Sequence, residues 1–145
     1  MERIVVGIDG SEGSRAALRW AIAEARLRGA VVEAVSAYHV PYTGAASVMP
    51  LMLDPEDFRA SADALLDKAL GEVEDEAAAL PQPITAVAVE GPASTVLVEA
   101  GLGASLLVVG ARGHGRLAGM LLGSVSRQVT EHASVPVVVV PRAAS

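Results

Sequence analysis

Short apolar runs alternate with longer amphipathic stretches along all 145 residues of the chain. The runs are rich in valine and isoleucine and lack a polar alternation, which predicts strands buried on both faces. Five strands are predicted, at Arg3–Ile8, Val31–Ala37, Ile84–Val89, Ser105–Val109 and Val137–Val140. Strands that alternate with helices indicate an α/β fold with a parallel sheet flanked by helices on both faces, in one domain over residues 1–145.

Helical periodicity occupies most of the gaps between these strands. Four helices are predicted, over Ser14–Gly29, Glu56–Leu80, Pro92–Ala100 and Ser124–Glu131. The first helix is predicted to end at Gly29, because glycine is a common helix terminator. The second is predicted to end before Pro81, because proline cannot continue a helix. The segment from His39 to Pro55 has three prolines and fits neither period. It predicts a loop that is mobile or that serves as a contact surface.

Composition and charge narrow the class of protein. The formal net charge of −6 argues against nonspecific binding of DNA or RNA, which needs a basic surface. The chain has no cysteine, so disulfides and thiolate metal sites are excluded, and no metal site is predicted. No run of 18 apolar residues occurs and the N-terminal stretch lacks the pattern of a signal peptide. These features predict a cytoplasmic protein without a membrane span.

A glycine-rich stretch from Gly110 to Ser126 follows the fourth strand and carries the candidate chemistry. The phosphate-binding template G-x-x-x-x-G-K-[ST] fails here, because Arg116 and Leu117 stand at its lysine and hydroxyl positions. The dinucleotide template G-x-G-x-x-A matches from Gly113 onward, but that motif belongs after the first strand of a domain.

A wider spacing, Gly110-x2-Gly113-x9-Gly123-Ser124, fits the predicted order of strand, loop and helix. Loop N–H groups and the free N–H groups at a helix start suit a phosphate. Glycines alone leave a flexible surface loop as an equal alternative. Asp9, at the end of the first strand, can accept hydrogen bonds from ribose hydroxyls or act as a turn or cap residue.

The spacing G-x2-G-x9-G-S, the opening IVVGIDGSEGSRAALRWA and the ending GSVSRQVTEHASVPVVVVP resemble the ATP-binding subgroup of the universal stress protein family over nearly the whole chain. The resemblance implies the Rossmann-like, adenine-nucleotide alpha-hydrolase-like fold with strand order 3-2-1-4-5. It implies that Ile8 and Asp9 bind the nucleotide, with Asp9 at the ribose. It also implies that the Ala37 backbone contacts adenine and that Gly110 lies near the ribose. The residues that the resemblance assigns to the phosphates are Gly113, Gly123, Ser124, Val125 and Ser126.

The resulting hypothesis is an ATP-binding regulatory protein of the stress response, with ATP bound with or without Mg²⁺. A homodimer is predicted through Val137–Val140, because an apolar edge strand needs to be paired or covered. A protein partner is expected but not identified. Alternatives are a slow ATPase or nucleotidyl-transfer enzyme on the same fold, and an interaction module without a ligand. No catalytic residue is predicted, since neither His114 nor the loop arginines form a clear base.

Overall fold

A computed structural model describes the fold over residues 1–40, 54–113 and 121–141. Five strands alternate with helices along these ranges, as predicted. The elements are β1 Arg3–Gly7, α1 Glu12–Arg28, β2 Val31–Tyr38, α2 Pro55–Glu72, α3 Glu74–Ala77, β3 Thr85–Glu90, α4 Ala93–Ala100, β4 Leu106–Gly110, α5 Ser124–His132 and β5 Val137–Val140. Most of the loop predicted between His39 and Pro55 lies outside the described residues.

The five strands form one sheet in the order β3-β2-β1-β4-β5, and every neighbouring pair is parallel. Both the predicted fold class and the strand order are thereby confirmed. The chain runs outward from β1 through β2 to β3, and then crosses to β4 on the other side of β1. In open sheets of this kind, the reversal leaves a crevice at the carboxyl ends of the two central strands, where ligands bind.

Apolar side chains from both faces of the sheet build two core layers. Ile4 and Val6 pack under α1 and α2, while Val5, between them in sequence, packs on the opposite face with Val129 of α5. Successive side chains of a strand point to opposite faces, so a strand covered on both sides needs apolar residues at every position. This explains why β1 and β4 show no polar alternation.

Helix α1 begins at Glu12, two residues before the predicted start at Ser14. Ser11 is the cap: its side chain accepts a hydrogen bond from the N–H of Ser14, which would otherwise lack a partner. Gly29 ends the helix in the left-handed conformation, at φ 67°. The predicted start at Ser14 was wrong because Glu12 and Gly13, which carry no apolar side chain to mark a helical face, already belong to the first turn of the helix.

The single helix predicted from Glu56 to Leu80 is also wrong in extent, because the chain breaks it at Val73. The backbone of Val73 has φ −118° and ψ 18°, and its N–H bonds to the carbonyl of Leu70 rather than one residue further back. Its side chain is only 2% exposed and belongs to the core under α1. Helix α2 therefore ends at Glu72, and the short helix α3 follows it.

Candidate functional site

A cavity of about 410 Å³ opens at the carboxyl ends of β1, β2 and β4 and against the start of α5. All nine residues that the family resemblance assigns to a ligand line it. They are Ile8, Asp9, Ala37, Gly110, Gly113, Gly123, Ser124, Val125 and Ser126. These residues come from four separate segments of the chain, and the strand order 3-2-1-4-5 is what brings the segments to one edge of the sheet.

One side of the cavity is apolar. Val35 and Ala37 of β2 line it, together with Leu97 of α4 and Val109 of β4. Ser36 does not line the cavity: it is buried at 3% exposure and its side chain alternates to the other face of β2. This side of the cavity can hold a flat apolar group against strand backbone and small aliphatic side chains.

Asp9 supplies a carboxylate directly beyond the end of β1. Its Oδ1 accepts a hydrogen bond of 2.9 Å from the N–H of Ser11 and a second from the Ser11 hydroxyl. A Cβ atom on Gly113 would lie 2.5 Å from the other oxygen, Oδ2. A side chain at position 113 would therefore displace the Asp9 carboxylate from its present position.

The start of α1 packs backbone to backbone against the end of β4. A Cβ atom on Gly110 would lie 2.6 Å from the carbonyl carbon and oxygen of Gly13, and a Cβ on Gly13 would overlap the carbonyl oxygen of Arg112. Gly110 was predicted to let a ligand approach, but helix α1 already demands a glycine there. Sequence reasoning missed Gly13, although a buried glycine in the first turn of a helix is costly and could have signalled a close approach.

Helix α5 presents its first turn to the cavity without a side-chain cap. The carbonyl of Ala111 accepts hydrogen bonds from the N–H of Gly123 at 2.7 Å and from the hydroxyl of Ser126 at 2.8 Å. These two contacts tie the helix to the end of β4. The backbone donors left for a ligand are therefore the N–H groups of Ser124, Val125 and Ser126, for which no carbonyl in the described ranges is a partner.

The charge at this end of the cavity is positive although the chain as a whole is acidic. Arg112 and Arg127 line the cavity, and the positive end of the α5 dipole faces it. Asp9 is the one carboxylate in the described lining. The cavity thus combines an apolar side, a carboxylate and a set of anion donors. His114 and Arg116, which the sequence placed in the loop, lie outside the described residues.

The sequence profile of the universal stress protein family matches residues 1–141. Universal stress protein Rv2623 of Mycobacterium tuberculosis is 37% identical over 141 residues, which are 94% of this chain and 46% of that protein. This chain therefore spans about half the length of the curated relatives that it matches.

Solved structures show the same fold over nearly the full chain. A universal stress protein in complex with cAMP superposes with a TM-score of 0.70 at 31% identity, covering 98% of both chains. The universal stress protein UspA from Lactobacillus plantarum superposes with a TM-score of 0.81, covering 96% of this chain and 97% of its own. At 20% sequence identity, the similarity to this protein is evidence for the fold only.

Proposed function

The chain belongs to the universal stress protein family, and on that basis we propose that its cavity binds an adenine nucleotide, with ATP as the preferred ligand. The observation that carries this proposal is the convergence of all nine sequence-assigned residues on one cavity. The cAMP complex of a protein 31% identical to this one supports the choice of an adenine nucleotide.

The chemistry of the cavity suggests how the ligand is oriented. Adenine would lie on the apolar side against the backbone of Ala37, and Asp9 would accept hydrogen bonds from the ribose hydroxyls. The phosphates would meet the N–H groups of Ser124 and Val125, where the helix dipole favours an anion. Arg112 and Arg127 line the same cavity and would neutralise the added charge of a triphosphate.

Mg²⁺ would arrive with the phosphates of ATP rather than be held by a protein cage. Within the described ranges, no group of three or more His, Asp or Glu side chains could hold a metal ion. Asp9 already accepts two hydrogen bonds from Ser11. Mg²⁺ is commonly bound through one or two carboxylates together with substrate phosphates, so the cavity is compatible with the ion. Its presence in the bound state stays a prediction.

We infer a regulatory role, in which the bound nucleotide controls conformation or partner choice. Backbone N–H donors hold charge in the ground state, whereas hydrolysis also needs a positioned water and a group that activates it. Asp9 is assigned to the ribose, away from the terminal phosphate. The slow ATPase remains the alternative, to be decided by the rate of phosphate release.

Titration of the purified protein by calorimetry is expected to show binding of ATP, weaker binding of AMP, and no detectable binding of inorganic phosphate. ATP gains the contacts of its additional phosphates with α5 and the two arginines, whereas phosphate alone lacks the apolar side. Phosphate release measured on the same samples, with and without Mg²⁺, should stay several orders of magnitude below about 1 per second. Absence of binding by any adenine nucleotide contradicts the proposal, and turnover near that rate favours the enzyme.

The edge strand β5 is proposed to pair with the same strand of a second copy. Val137–Val140 hydrogen-bonds to β4 on one side and forms an outer edge of the sheet, with three of its four valines partly exposed. An apolar edge of this kind tends to be covered or paired. Sedimentation at micromolar concentration is expected to give twice the mass of one chain, and a monomer under these conditions contradicts the pairing.

Location and other partners are proposed on the sequence alone. None of the helices in the described ranges has both the length and the apolarity to cross a membrane. The acidic charge disfavours nucleic acid as a partner. We propose a cytoplasmic protein, with a regulatory protein partner that the sequence does not identify.

A further inference from the structure

Ser11 connects the carboxylate of the cavity to the start of helix α1. Its hydroxyl donates a hydrogen bond to Oδ1 of Asp9, and its N–H donates a second to the same oxygen at 2.9 Å. The hydroxyl oxygen also accepts a hydrogen bond of 3.2 Å from the N–H of Ser14. Ser11 itself lines the cavity, although the sequence assigned it no role there.

We propose that Ser11 is a positioning residue for nucleotide binding, which holds the Asp9 carboxylate in the orientation that receives the ribose hydroxyls. This inference rests on the proposed function. A serine hydroxyl has a single proton, and here that proton is donated to Asp9, because a carboxylate oxygen only accepts and the N–H of Ser14 is itself a donor to the hydroxyl oxygen. The two donors from Ser11 thus hold Oδ1, while Oδ2 lies on the side of Gly113, another residue of the cavity lining.

The positioning role is separable from the capping role. A helix cap needs only an acceptor for the N–H of Ser14, whereas positioning needs the hydroxyl proton. Ser11→Thr retains both functions, and Ser11→Ala loses both. Ser11→Gly loses the hydroxyl but keeps a residue that is tolerated at a helix cap. Asp54 caps α2 by accepting a hydrogen bond of 3.0 Å from the N–H of Glu56, and it does not line this cavity. Asp54→Ala is therefore the matched control, because it removes a helix cap away from the cavity.

The test compares ATP with 2′,3′-dideoxy-ATP, which lacks the ribose hydroxyls, by calorimetric titration of each variant. Ser11→Ala and Ser11→Gly should bind ATP about three- to tenfold more weakly, the size of one weakened hydrogen bond to a charged group. Their affinity for the dideoxy nucleotide should hardly change. Ser11→Thr should bind both nucleotides as the parent does. Asp54→Ala should unfold at a lower temperature but should keep the parent's preference for ATP over the dideoxy nucleotide.

Several outcomes overturn the inference, and they differ from failure of the proposed function. If Ser11→Ala and Ser11→Gly keep the parent's ratio of affinity for ATP to affinity for the dideoxy nucleotide, including the case in which both affinities fall by the same factor, Ser11 is a structural cap. If the parent binds both nucleotides equally, Asp9 does not receive the ribose, while nucleotide binding stands. If the parent binds neither nucleotide, the proposed function fails and the role of Ser11 fails with it.

Discussion

Gly110→Ala is expected to cause a large loss of stability, because the added methyl group meets backbone rather than a side chain. The new Cβ would lie 2.6 Å from the backbone of Gly13, and a backbone carbonyl cannot rotate away as a side chain can. Either β4 or the first turn of α1 must move, and overpacking of this kind typically costs about 1–3 kcal/mol. Urea denaturation followed by circular dichroism measures the free energy of unfolding directly.

The same substitution at Gly71 is the matched control for Gly110. Gly71 is exposed near the end of α2, and nothing lies within 4 Å of the position that its Cβ would take. Gly71→Ala should therefore raise the free energy of unfolding by about 0.4–1 kcal/mol, because alanine loses less freedom on folding. A Gly110→Ala protein as stable as the parent would show that α1 can withdraw from β4 at little cost.

Gly113→Val is expected to abolish nucleotide binding while the protein stays folded. A Cβ at this position would lie 2.5 Å from Oδ2 of Asp9. The side chain of Asp9 is exposed and can move. The carboxylate can swing away at small cost to stability, but it then leaves the orientation that the ribose requires, and the valine methyl groups enter the cavity. Loss of about two charge-assisted contacts corresponds to a decrease in ATP affinity of at least about a hundredfold.

Calorimetric titration with ATP checks this prediction, with thermal unfolding as the measure of a folded chain. Gly71→Val adds the same side chain at an exposed glycine outside the cavity and should bind ATP as the parent does. Gly113→Ala should give an intermediate loss, since it displaces Asp9 without filling the cavity. ATP affinity equal to the parent's in Gly113→Val would place the ligand away from Asp9 and Gly113.

The residues that the family resemblance assigns to a ligand line one cavity, but neither the resemblance nor the spacing predicts the hydrogen-bond partners of the individual groups. The glycine motif spans a strand end and a helix start that are adjacent in a fold of this type, and Ile8, Asp9 and Ala37 lie at the ends of two neighbouring strands. Yet the N–H of Gly123, a residue that the resemblance assigns to the phosphates, is bound to the carbonyl of Ala111, and the same carbonyl accepts a hydrogen bond from the Ser126 hydroxyl. Hydrogen-bond partners depend on where a distant carbonyl lies, and spacing carries no information about that.

Periodicity by itself determined the alternation of strands and helices, since a strand covered on both faces must be apolar at every position. It did not determine which strands are neighbours: the order 3-2-1-4-5 came from a family resemblance. Only the tertiary structure showed that the predicted helix is interrupted at Val73, because the apolar spacing from Leu66 through Ala69 to Val73 is that of a continuous helix. It also decided that Gly13 and Gly110 must both lack a side chain. These glycines are 97 residues apart, and the requirement arises only where α1 and β4 meet.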